Sequence, residues 1–216
     1  MNEFIIGDYS QYAVFSSITG LMGVVVPILL ILFVARNMGQ KQALLVGTWG
    51  GITAAVVLFV MFRFGDPTLV NFSHLNVYTI VFVLLYVVMT GFGGLSGSIV
   101  IPMTADCADY EVYRSGRYVP GLMGTLFSFI DKITSSFATA VVGFLLAIIG
   151  FKSEQPTYTT PYSEAIFGVT MFCFLGAPII GWILNVISMK FYPLTKDMMA
   201  SIQERIAEIK AENTHV

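Results

Sequence analysis

Charge is what this sequence has least of. Of its 216 residues, 11% are Asp, Glu, Lys or Arg, against about 25% in soluble domains. A soluble chain of this length folds around one core and needs a charged surface to cover it. Here the charge is too sparse to do so. Cysteine and histidine are scarce as well, with two of each. Cys107 stands beside Asp106 at the end of an apolar run, and Cys173 lies inside another. Neither has a partner at metal-ligand spacing, and two such separated thiols make no disulfide framework. No metal site and no catalytic set is expected. The net charge of −2 speaks against a nucleic-acid partner. The first residues lack a basic n-region and a small-residue cleavage site, so no signal peptide is read there.

What fills the chain instead is apolar. Hydrophobic residues make up 56% and the mean hydropathy is +0.80. Five runs are long enough to cross a hydrocarbon core, which takes about 20 apolar residues: 13–34, 43–62, 77–103, 119–151 and 165–189. Backbone polar groups must be satisfied internally in lipid, so each run is read as a helix. The expected fold is an all-α, polytopic membrane helix bundle over residues 1–192. Pro27 and Pro178 are expected to bend two of the spans.

The connections assign an orientation. Arg36 and Lys41 follow the first run, and Arg114 and Arg117 follow the third. Lys190, Lys196, Arg205 and Lys210 follow the last. The other connections hold one base each, Arg63 and Lys152. The positive-inside rule puts the richer segments in the cytoplasm. The N-terminus, with Glu3 and Asp8 and no base, goes outside. The expectation is a multi-pass protein of the cell membrane, N-terminus out and C-terminus in.

The tail, 193–216, reads as a cytoplasmic amphipathic helix. Met198, Ile202, Ile206 and Ile209 recur at helical spacing, and Thr195 is placed to cap it. Such a helix either lies along the inner leaflet or packs on the cytoplasmic ends of the spans. Between the third and fourth runs, "MTADCADYEVYRSGRYVPG" is read as a charged, solvated loop.

Two runs carry motifs. The third contains "GFGGLSG", in which Gly93 and Gly97 have the small-xxx-small spacing that lets helices approach. The same letters resemble the serine motif of intramembrane proteases. That chemistry needs a base beside the serine, and His74 and His215 both lie outside the spans. Helix packing is therefore the better reading.

The fourth run contains "FSFIDKITSSF", where Asp131 and Lys132 are the only charges between Tyr118 and Lys152. Projected at 100° per residue, Thr125, Ser128, Lys132, Ser135, Ser136 and Thr139 fall within an arc of roughly 100°. Asp131 sits at its edge. Lys132 lies about 16 Å along the helix from Gly121, near the middle of a core about 30 Å thick. A charge at that depth costs about 2.5–3.5 kcal/mol even on the mild insertion scale. Adjacent residues on a helix point about 100° apart, so Asp131 is a poor partner for Lys132. The stripe is expected to line a hydrated cavity for substrate or ion, with Lys132, Asp131, Ser128, Thr125 and Ser135 on it. A lysine–carboxylate pair that merely joins helices is the alternative.

These features together resemble the glycoside–pentoside–hexuronide:cation symporters, sugar carriers of the major facilitator superfamily. The matching residues are Asp106, Asp109 and Tyr110 after a glycine-rich span, then Gly116, Arg117, Gly121, the central Lys132 and Gly150. "FIIGD", Phe4–Asp8, resembles the end of that family's seventh helix. The resemblance covers nearly the whole chain. It implies the C-terminal half of the fold, spans eight to twelve of twelve, and alternating access about a midplane site. It also implies a cytoplasmic gate, placed here on Asp106, Asp109, Tyr110, Arg114 and Arg117.

The partners that follow are a sugar, a coupling cation (Na⁺ or H⁺), the lipid bilayer, and either the N-terminal half of a carrier or another copy of this chain. No other cofactor is implied. Two positions depart from the melibiose carrier: Asp131 replaces an apolar residue and Gly97 an aromatic one. Two other readings stay open: a self-contained five-span scaffold or subunit, and a half-size carrier active as an oligomer.

Overall fold

The structure is a computed structural model that describes residues 12–151, 156–157 and 160–214. Among them, five helices are long and apolar enough to cross a membrane. They are α1 (Tyr12–Met38), α2 (Gln40–Phe64), α3 (Val77–Ser115), α4 (Pro120–Ile148) and α5 (Glu164–Met189). A sixth helix, α6 (Lys196–Thr214), follows. No strand forms among the described residues, so the all-α bundle is as expected. The stretch Phe4–Asp8, likened above to the end of a helix, lies outside the described residues, as does Lys152.

The helix ends have local causes. Asn76 caps α3, its side chain accepting from the Thr79 amide at 2.7 Å. Ser163 caps α5 by accepting from Ile166. Thr195 accepts from Met198 at the start of α6, as its sequence position suggested. Gly39 separates α1 from α2 at φ 81°, and Gly116 ends α3 at φ 71°. A side chain is strained at both. Pro178 follows a turn of π-helix, Phe172–Gly176. A proline there has no N–H to give the preceding turn, and the wider turn accommodates that loss.

One expectation is corrected. The segment after Met103, read as a loop, is helical through Ser115. At 1.5 Å per residue, α3 is about 58 Å long, far more than the 30 Å core. Its last turns therefore leave the membrane as an amphipathic helix. Cys107, Tyr110 and Val112 pack against Leu194, Ile202 and Ile206. The tail helix thus takes the second of the two placements considered above, on the end of α3.

α3 is the hub. It packs along α2, with α1 on another side and α6 at its end, while α5 packs on α2. One apolar core gathers Phe15, Leu58, Phe62, Phe82, Met171 and Leu175 at the end away from α6. A second gathers Ala43, Leu44, Leu95, Ile99 and Met103 nearer to it. Between them lies a polar tie. Asn185 donates to the Thr48 hydroxyl at 2.9 Å, and Thr48 meets Ser96 at 3.4 Å. That joins α5, α2 and α3 where hydrocarbon offers no competing partner, at about 0.6 kcal/mol per interhelical bond.

Glycines do admit close packing, though not as the Gly93/Gly97 pair. A Cβ on Gly97 would meet nothing within 4 Å. One on Gly94 would lie 2.5 Å from Pro27, and one on Gly91 would lie 2.4 Å from Val26. The four-residue pair that packs is Gly47 and Gly51 on α2. A Cβ on Gly47 would lie 2.6 Å from Ser96 Oγ, and one on Gly51 would lie 3.0 Å from the Trp182 ring.

Candidate functional site

α4 owes its position to the turn at Gly116 and to Pro120, which opens the helix. Not one of its residues is buried. Thr125, Ser128, Asp131, Lys132 and Ser135 are all exposed. The hydroxyls turn back on the helix: Thr125 donates to Gly121 O at 2.7 Å and Ser136 to Lys132 O at 2.9 Å. Thr139 donates to Ser135 O at 3.3 Å. Phe129, Ile133, Ser136, Phe137 and Ala140 form with Lys132 an open groove of about 440 Å³. Among the described residues neither Lys132 nor Asp131 is in an ion pair. The helix therefore presents an ammonium within an apolar surface, and no other part of the described chain covers it.

The second group lies at the α6 end. Asp106, Asp109, Tyr110 and Arg114 follow one another along the last turns of α3, and Arg117 comes just past its cap. Among the described residues no ion pair joins Arg114 or Arg117 to these carboxylates. Asp109 instead accepts from the Gln203 amide of α6 at 2.6 Å. Arg117 donates its backbone N–H to Ser115, and Arg114 and Arg117 are both exposed. Tyr110 packs under α6 and stacks near Tyr113, with centroids 6.4 Å apart.

Asp106 points into a hollow of about 290 Å³ with Gln40, Lys41, Lys196 and Gln203. The rim is tied down by cations on carbonyls. Lys41 donates to Tyr192 O, and Lys196 donates to Asn37 O at 3.1 Å. Gln40 Oε1, on the lining of this hollow, and the Tyr192 hydroxyl are buried without a hydrogen-bond partner. Burial, helped by Cys107 and Asp106, pushes the Tyr192 phenol well above its usual range. It stays a neutral donor at any working pH.

The carboxylates and the tail are thus brought together, while the lysine stripe stands apart from them. Gln40, Tyr192 and Gln203 were not singled out from sequence, and Lys41 entered only as a marker of orientation. The one available signal was Gly39 before a Gln–Lys pair, where a Cβ would lie 2.9 Å from Lys196 Cβ.

Comparison with known proteins gives the family of the chain. A family model described as "MFS/sugar transport protein" matches residues 1–196. The isoprimeverose transporter of Lactiplantibacillus pentosus is 26% identical over 180 residues, 82% of this chain and 34% of that protein. The glucuronide carrier protein homolog of Escherichia coli (strain K12) is 24% identical over 208 residues, 94% of this chain and 41% of that protein. An inner membrane symporter of the same bacterium is 24% identical over 169 residues, covering 75% of this chain and 32% of its own length. The chain therefore spans well under half the length of these relatives. No solved structure gives a significant match.

Proposed function

The chain belongs to the family of MFS/sugar transport proteins, and on that premise we propose that it forms the C-terminal half of a cation-coupled sugar symporter. Its family and named relatives are transporters and carriers, not enzymes. The observation that best supports the reading is α4. A span-length helix with no buried residue carries a lysine and a row of hydroxyls on one side. A lone ammonium in hydrocarbon is costly. The helix is explained if a second half, from the remaining length of such a carrier, closes over that side and encloses water and substrate.

Transport would proceed by alternating access, the halves rocking about a site near the midplane. Lys132 would sit at that site, with Thr125, Ser128, Asp131 and Ser135 on the wall. Carboxylates of the other half would balance its charge. The sugar would be a glycoside, pentoside or hexuronide and the driving ion Na⁺ or H⁺. The cluster of Asp106, Asp109 and Tyr110 under α6, with Arg114 and Arg117 beside it, would form the cytoplasmic gate. The protein would lie in the cell membrane with its C-terminus in the cytoplasm.

The test is ion-dependent sugar uptake by a carrier completed with an N-terminal six-span half. Lys132→Met should abolish coupled uptake while the protein still inserts. Normal coupling in that variant would make Lys132 a packing residue and overturn the assignment. Saturable uptake by the chain reconstituted alone would instead favour a second copy as the partner on α4.

A further inference from the structure

A second site lies at the opposite end of the bundle, where α2 and α5 part. Two adjoining hollows there share Arg63, Glu164 and Phe167. One, of about 270 Å³, opens at the surface beside Asp66, Thr68 and Tyr162. The other, of about 300 Å³, continues down the bundle past Phe59, Met171 and Gly176. The upper hollow is about half polar and the lower one mostly apolar. From Glu164 to Gly176 the groove follows α5 for about 18 Å. One leaflet of a 30 Å core is about 15 Å deep.

We propose that this groove holds one phospholipid with a primary-ammonium headgroup, its acyl chain between α2 and α5 and its phosphate on Arg63. The charges fit a zwitterion. A guanidinium matches phosphate by paired, charge-assisted hydrogen bonds, and Arg63 is exposed in the last turn of α2. Among the described residues neither Arg63 nor Glu164 is held in an ion pair. Two carboxylates, Asp66 and Glu164, line the same hollow as Arg63. Asp66 uses only Oδ1 for its turn, accepting from the Thr68 amide at 3.0 Å and the Thr68 hydroxyl at 2.6 Å. Its Oδ2 is left for an ammonium. Those two bonds hold the Asp66 carboxyl below its usual range, so it is ionised at neutral pH. Tyr162 stands at the mouth, where amphipathic rings favour the headgroup level. The apolar part is open because Gly168 has no side chain: a Cβ there would meet nothing within 4 Å.

That open space makes Gly168→Leu a plug that leaves the helix packing untouched. The experiment is native mass spectrometry of the purified chain. It is loaded from micelles holding equal phosphatidylethanolamine, phosphatidylcholine and phosphatidylglycerol of one chain length. The wild type should retain one phosphatidylethanolamine in preference to the others. Gly168→Leu should cut that retention, and Arg63→Ala should cut it by at least about tenfold, because it removes the paired charge-assisted hydrogen bonds. Asp66→Asn with Glu164→Gln should turn the preference toward phosphatidylglycerol, because the guanidinium then stands alone. Equal retention of the three lipids by the wild type would overturn the proposal. So would unchanged phosphatidylethanolamine in both Arg63→Ala and Gly168→Leu.

Discussion

Ile202 offers a sharp test of how α6 is held. Its side chain is 1% exposed, and its cluster on α6 and the preceding turn has two other buried members, Leu194 and Ile206. The surface they cover includes Cys107, Tyr110 and Val112. This contact lies past the apolar span, so water competes for it and ordinary hydrophobic energetics apply. Truncating a buried isoleucine to alanine costs about 2–5 kcal/mol. Because the loss falls on one docked helix, it should appear as local opening of α6 rather than melting of the bundle. At about 1.4 kcal/mol per factor of ten, the open population should rise about 30- to 4,000-fold.

Cys107 reports it directly. The thiol is half-buried beneath α6, whereas Cys173 lies within α5. Maleimide labelling of Cys107 in Ile202→Ala should accelerate by that factor, and labelling of Cys173 should not change. Hydrogen exchange should rise in α6 and stay flat in α2. Equal Cys107 labelling in wild type and variant would mean that α6 does not shield α3. A rise at both cysteines would mean that the variant loosens the whole fold.

Other consequences can be checked separately. With Cys107 and Cys173 replaced, an impermeant thiol reagent on intact cells should label Ser73→Cys and spare Ser115→Cys; the reverse pattern would invert the proposed orientation. Gly47→Val should part α2 from α3, since a Cβ there meets Ser96 Oγ at 2.6 Å. It should lower the melting temperature in detergent, while Gly97→Val, in open space, should not. The Asp66 turn should follow pH with the sign of a depressed carboxylate. Its stabilisation is complete above the ordinary carboxylate range and is lost as pH falls through the lower folded value. Amide exchange at Thr68 should therefore gain an acid-dependent component that Asp66→Asn lacks.

How much of this could be read from the letters depends on which physical signal carried it. Spans are legible because hydropathy is a property of one segment at a time, and the five helices lie close to the five runs. The end of α3 was not legible that way. Beyond Met103 the helix leaves the lipid and its hydropathy falls, so an apolar run stops while the helix continues to Ser115. The surviving signal is the spacing of Met103, Cys107 and Tyr110, three or four residues apart. It acquires meaning only when matched to Ile202 and Ile206, nearly a hundred positions away. The glycines failed for a related reason. Spacing says that two small residues share a face but not which face meets a neighbour. Gly91 and Gly94 proved to meet Val26 and Pro27, while Gly97 faces outward.

The lysine stripe is the converse case. Its periodicity within one helix predicted a polar face on an apolar rod, and Lys132 and Ser136 line one open groove on α4. What the letters could not supply is whether that face meets the rest of the chain. It does not: α4 has no buried residue, whereas α2 has nine. A helix that merely filled the bundle would bury its small residues, as α2 does with Gly47 and Gly51. Instead Gly121, Gly124 and Gly143 all face open space. The small residues, the hydroxyls and the charge of α4 therefore have no use within the described chain. On the proposed reading they acquire one against the other half of the carrier, and Lys132 is therefore to be tested in that assembly.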